Sequence, residues 1–181
     1  MAIETLSRLL HPPVMPEETK GDRTWAEVEN QLGTRLPEDY KLFVGSFGTG
    51  SINRFITVFN PFSSNRFINL IERGRLDLEG LGGLREKFPQ HYVHERFPLP
   101  GGVLPFASTD NGEIFYWKTN GDAEQWTVVV YESRGPNYFS FSGSITEFLA
   151  SLLSRSIKCD VLPPNFPSGP PTFTPVPRAK K

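Results

Sequence analysis

A single cysteine, Cys159, stands among 181 residues, so no internal disulfide can staple the fold and burial has to hold it. No apolar run approaches the roughly 20 residues that a membrane span needs. No basic, apolar, small-residue leader opens the chain, and the expectation is a cytoplasmic protein. Neither sign of charge is in excess. The 19 Lys and Arg against 20 Asp and Glu leave a net charge of −1, which removes any global pull toward nucleic acid or an acidic membrane.

Catalytic and metal signatures are missing as well. There is no G-x-S-x-G elbow, and His91 and His94 match neither the H-E-x-x-H nor the H-x-x-E-H order. Flanked by Pro89 and Pro98, this pair reads as a solvated loop. The glycines at 45, 48 and 50 follow a helical pattern and lack the Lys-Ser/Thr of a phosphate loop, so they read as a helix stop. Residues 110–113 lack the alternating oxygen ligands of a calcium loop. Cys159 has no basic neighbours to activate it and reads as a passive thiol. No catalytic residue, metal or cofactor is expected, and the chain reads as a binding protein rather than an enzyme.

What is present is core material. Hydrophobic residues make up 38% and aromatics 13%, including 15 Phe, enough for one domain with a core of its own. Thr24 and Glu27 form a capping box before a helix whose Trp25, Val28 and Leu32 share a face, and Gly33 suits its left-handed close. Pro37, Glu38 and Asp39 suit the start of a second helix, with Tyr40, Phe43, Val44 and Phe47 as its buried stripe. Residues 52–59 read as one strand. Residues 65–87 read as a helix interrupted by Gly74, Gly80, Gly82 and Gly83. Turn signals at 110–112, 120–122 and 133–137 divide residues 103–141 into a meander of four strands. Ser144 and Glu147 cap a last helix with Ile145, Phe148, Leu149, Leu152 and Leu153 on one side. The expected fold class is α+β, a mainly antiparallel curved sheet with helices at its N- and C-terminal ends. Residues 1–21 read as an accessory segment and 22–160 as the domain. Residues 161–181 read as a flexible basic tail, because seven prolines fall in its last 19 positions.

The order W-x-x-V-E-x-x-L-G from Trp25, L-P-x-D-Y-K-x-F from Leu36, and F-G-x-G from Phe47 resembles the opening of the SMI1/KNR4 family, the SUKH superfamily. The blocks at 104–117 and 144–149 are similar to that family's later hairpin and closing helix. The resemblance implies an immunity protein of a bacterial polymorphic or contact-dependent toxin system, which binds and neutralises a toxin domain, often a nuclease or deaminase. The fungal members imply an alternative, a regulatory or scaffolding protein with the proline-rich tail as a docking segment. Trp25, Tyr40, Phe47 and Gly48 are assigned to the scaffold.

The contact surface is expected elsewhere. Residues 110–132 carry Asp110, Glu113, Asp122, Glu124 and Glu132 against Lys118 alone. Such a segment repels phosphate and suits a basic protein partner, so no direct nucleic-acid contact is expected. Tyr116, Trp117 and Trp126 are candidate anchors within it. Since alternate strand positions face opposite ways, Phe115 and Trp117 can be outward, or Tyr116, but not all three.

Overall fold

Local signals set the helix ends, and the sheet then gathers the helices. The computed structural model describes residues 2–20 and 22–176. Helix α1 spans Ala2–Leu10, α2 Trp25–Leu32 and α3 Glu38–Phe47. Both expected capping boxes form: Glu27 N–H donates to Thr24 Oγ1 at 3.3 Å, and Glu147 N–H to Ser144 Oγ at 3.4 Å. Gly33 closes α2 at φ 74°. Gly48 closes α3 at φ 66°, ψ −148°, a region open only to glycine, with the backbone of Glu17 lying against the face where a Cβ would stand.

Strands β1 (Gly50–Ile52), β2 (Ile56–Val58), β3 (Val103–Thr109), β4 (Ile114–Lys118), β5 (Thr127–Tyr131), β6 (Tyr138–Phe141) and β7 (Phe173–Pro175) form one open antiparallel sheet in the order β6-β5-β4-β3-β2-β1-β7. The four-strand meander β3 to β6 is as expected. Residues 52–59 are not one strand, because Asn53 and Arg54 both take left-handed φ near 50° and turn the chain into the β1–β2 hairpin. That turn carries no glycine, so its sequence signal is weak.

Helix α4 runs unbroken from Leu70 to Lys87, and the expected interruption is absent. Asn69 caps it through the N–H groups of Ile71 and Glu72. Two of its glycines are contact points: Gly74 lies over Pro105, and Gly82 is covered by the Arg96 guanidinium. Close approach to the sheet therefore compensates their low helix propensity.

The sheet is covered on both faces. Leu104, Phe106, Phe115, Trp117, Val128 and Val130 join α1, α3 and α5 (Ile145–Leu153) in the main core. Val103, Tyr116, Val129 and Tyr131 meet Leu81 of α4 on the other side.

The segments at both ends of the described residues are built into this body. Leu6 and Leu10 of α1 are buried against the core, and Glu18 accepts hydrogen bonds from Ser64 N–H at 3.0 Å and Thr49 Oγ at 2.7 Å. Residues 2–20 are thus packed onto the fold. Residues 161–176 pack on the same body. Leu162 is buried, Phe166 meets Phe55, and β7 pairs with β1 at the sheet edge, where Phe173 packs on Phe43 and Phe47. Proline is tolerated at an edge because the missing N–H faces away from the ladder, so composition alone misleads here. Residues 177–181, with Arg178, Lys180 and Lys181, lie outside the described residues. Among the described residues no helix is long and apolar enough to cross a membrane.

Candidate functional site

Strand β4 divides the acidic segment in two. Asp110, Glu113 and Glu132 lie at the end of the sheet where β3 turns into β4 and β5 into β6. Asp122, Glu124 and Trp126 lie at the opposite end, about 17 Å away at roughly 3.4 Å per residue. The five carboxylates therefore do not make one patch.

Their exposure differs as well. Asp110 and Asp122 are exposed, and Glu132 is half-buried with both oxygens accepting from Asn137 Nδ2 at 3.0 Å. Glu113 is 6% exposed and accepts from the Thr109 hydroxyl and from Ser133 Oγ, so it belongs to the turn and not to a contact surface. The expected aromatic anchors are buried too: Tyr116 is 2%, Trp117 1% and Trp126 5% exposed. The alternation rule left one face of β4 open to solvent, but α4 and its following loop cover Tyr116 while α3 and α5 cover Trp117. Burial raises the Tyr116 phenol far above its ordinary value.

One group of these residues does converge on an open recess of about 380 Å³. Its walls come from the start of α3 (Asp39), the end of β4 (Trp117), the 3₁₀ turn Ala123–Gln125, Trp126, and the start of α5 (Ser144, Glu147). Three carboxylates line it, those of Asp39, Glu124 and Glu147, and no basic residue does. Two helix N-termini meet here, and the carboxylates serve them. Asp39 Oδ2 accepts from the N–H and hydroxyl of Thr146 in α5, both at 3.0 Å. Glu124 Oε1 accepts from the Glu38 N–H of α3 at 2.9 Å, and Glu147 Oε2 from the Ser144 N–H at 2.9 Å. Exposed N–H groups and the positive ends of helices favour such partners.

Two buried polar atoms of wall residues, Asp39 Oδ1 and Trp117 Nε1, have no hydrogen-bond partner among the described residues, and neither is open to solvent. The neighbouring Trp126 Nε1–H does have one, the Gly121 carbonyl at 3.4 Å. Trp117 is otherwise fixed by rings, edge-on to Tyr40 at 5.0 Å and tilted on Trp126 at 5.8 Å. Sequence reading placed Glu124, Trp117 and Trp126 in a site but missed Asp39, Ser144 and Glu147. Asp39 was read as a helix-start residue, and nothing local marks its role on a helix 107 positions later.

The remaining chemistry-bearing residues go elsewhere. His94 is buried, not in a solvated loop: its Nδ1 lies 2.7 Å from Tyr131 Oη and its ring sits edge-on to Tyr131 and Tyr138. Burial, with the positive charges of Lys118 and Arg85, lowers its pKa. Cys159 is buried, and burial pushes its thiol up to about 11, so it is unreactive at neutral pH. Among the described residues no three His, Cys, Asp or Glu side chains are grouped so as to hold a metal ion.

A family model, SUKH_6, described as SMI1-KNR4 cell-wall, matches residues 22–149. Comparison with curated proteins and with solved structures finds no match. The matched span runs from α2 into α5 and includes every wall of the recess.

Proposed function

The chain belongs to the SMI1/KNR4 family, and from that premise we propose that it is a non-catalytic immunity protein that binds and neutralises a toxin domain, acting in the cytoplasm of a bacterial cell. The observation that carries the reading is the family match together with a recess whose ionisable walls are all acidic. A toxin that cleaves or deaminates nucleic acid needs a basic active-site surface. Exposed carboxylates beside the recess, Asp122 above all, would steer such a surface by complementary charge. Occlusion of the toxin's cleft would then follow without any chemistry on this chain.

The steering role moves from the whole acidic segment to its recess end. Glu113 is withdrawn from it because it is buried, and Glu124 contributes while tethered to α3. Tyr116, Trp117 and Trp126 supply the floor and framework rather than protruding anchors. The regulatory alternative drew on a free proline-rich docking tail, whereas Phe166 and Phe173 of that segment pack on the core and β7 pairs with β1.

The test is direct. The protein is co-expressed with the product of the adjacent upstream gene, and any complex is purified and assayed for suppression of that product's toxicity. A stable complex with activity suppressed in step with occupancy supports the reading. Absence of a complex at micromolar concentrations counts against it.

A further inference from the structure

From the outward-facing main chain of Tyr138 and Ser140, we infer that the open edge of β6 accepts an extended strand of the protein partner. That strand runs antiparallel to β6, carries apolar residues at alternate positions, and brings a basic residue to the end beside the acidic recess. This rests on reading the protein as a partner-binding module, and it specifies how the partner is held.

Alternation along the ladder fixes which groups are free. Glu132 N–H donates to the Asn137 carbonyl at 3.0 Å, and this pair continues the β5–β6 register of Tyr131 with Tyr138 and Val130 with Phe139. Every second pair of an antiparallel ladder exchanges hydrogen bonds, so Phe139 and Phe141 bond β5 while the N–H and C=O of Tyr138 and Ser140 point away from it. Both residues are exposed, and among the described residues no hydrogen bond reaches their main chain from the open side. Tyr138–Phe141 holds no charge, no proline and no bulge, the devices that keep an edge from pairing. The opposite edge differs. Asn53 N–H donates to the Thr172 carbonyl and Val176 N–H to that of Thr49, so Pro175 of β7 faces outward and its missing N–H leaves a gap in that edge.

The side chains and the charge along β6 select the strand that joins it. Phe139 and Phe141 are half-buried against Phe148 of α5, so an apolar residue beside them extends the core by one strand. Charge differs from end to end. The turn before β6 exposes Arg134, whereas Ser142, Gly143 and Ser144 after it line the recess together with Glu124 and Glu147. An added strand therefore passes directly into the acidic recess, where a Lys or Arg is its complement. Antiparallel pairing matches every other pair of this sheet and puts that basic residue at the amino end of the added strand. Main-chain hydrogen bonds hold the strand, and the alternate side chains and the basic end choose it.

Amide hydrogen exchange on the ¹⁵N-labelled chain, alone and in complex with the product of the adjacent upstream gene, tests this. The inference predicts that the Tyr138 and Ser140 N–H groups exchange freely in the uncomplexed protein and at least tenfold more slowly in the complex. Ser140→Pro removes an N–H that β5 does not use, so the variant should melt near the parent temperature and release the partner at least tenfold faster. A complex in which both amides exchange as they do in the free protein overturns the inference and leaves toxin binding standing. A free protein that is dimeric, with both amides protected, also overturns it, because a second copy then fills the edge. If no complex forms, the protein is titrated at millimolar concentration with a short peptide of alternating valine and threonine that carries a lysine pair at its amino end. Saturable shifts confined to β6 and the recess, and lost when the peptide nitrogens facing β6 are methylated, retain the edge site and discard the toxin. Shifts that are absent, or equal with the methylated peptide, overturn the inference.

Discussion

Asp39 and Thr146 lie 107 positions apart, yet one carboxylate oxygen of Asp39 accepts both the backbone N–H and the hydroxyl of Thr146 at 3.0 Å. This pair fastens the first turn of α3 to the first turn of α5. The other oxygen, Oδ1, is buried without a hydrogen-bond partner among the described residues.

Replacing Asp39 by Ala removes an N-terminal partner of α5 and leaves the Thr146 hydroxyl, itself fully buried, without its acceptor. The expected loss is about 1–2 kcal/mol of unfolding free energy, in the range of helix-cap removals. Urea denaturation with an unchanged m-value measures it, and a midpoint equal to that of the parent would show that the pair contributes nothing.

Helix α4 offers a contrast between glycines. Gly83 has open space where a Cβ would stand, so Gly83→Ala should stabilise by about 0.5–1 kcal/mol through helix propensity. Gly82→Ala meets the Arg96 guanidinium and should be neutral or destabilising. Thermal melts of both variants check the sign of each change, and equal gains at both sites would contradict the packing assigned to Gly82.

The end strand carries a stability prediction opposite to that of a free tail. Phe173 is partly buried between Phe43 and Phe47, so Phe173→Ala should cost about 2 kcal/mol, below the range for a fully buried Phe. Calorimetry that showed no fall in melting temperature would mean that the edge strand does not contribute to the fold.

His94 makes stability depend on pH in a definite direction. Its pKa is lowered in the folded state from an ordinary value of 6.5, so the unfolded chain binds the proton more readily. Its contribution is present above about pH 6.5 and is lost as pH falls through the lower folded value. A His94→Gln variant should show a weaker decline of stability over that interval, as read from denaturation midpoints at a series of pH values.

The parts of this fold legible in the sequence are those whose signals are local. Thr24, Glu27, Gly33, Ser144 and Glu147 each act within one helical turn, and the helix ends fall where they imply. The meander followed from its three turns. What stayed hidden depends on contacts distant in sequence. The glycines of α4 look like breaks until Pro105 and Arg96 lie against them. The proline-rich segment looks free until Phe173 meets the rings of α3. For the candidate site, Trp117, Glu124 and Trp126 were visible as an acidic and aromatic cluster. The burial of the two tryptophans and the contribution of Asp39 were not, because both depend on helices packed over the sheet.

Association with the toxin domain, followed as a function of salt for the parent and for Asp122→Lys and Asp110→Lys variants, tests the central claim most directly. Asp122 is exposed and makes no side-chain capping bond, so its reversal changes charge without removing that support. The account predicts that Asp122→Lys slows association several-fold and flattens its salt dependence, while Asp110→Lys, at the far end of β4, changes little. Equal effects at the two ends, or no effect at Asp122 in a complex that still forms, would contradict a partner surface centred on the recess.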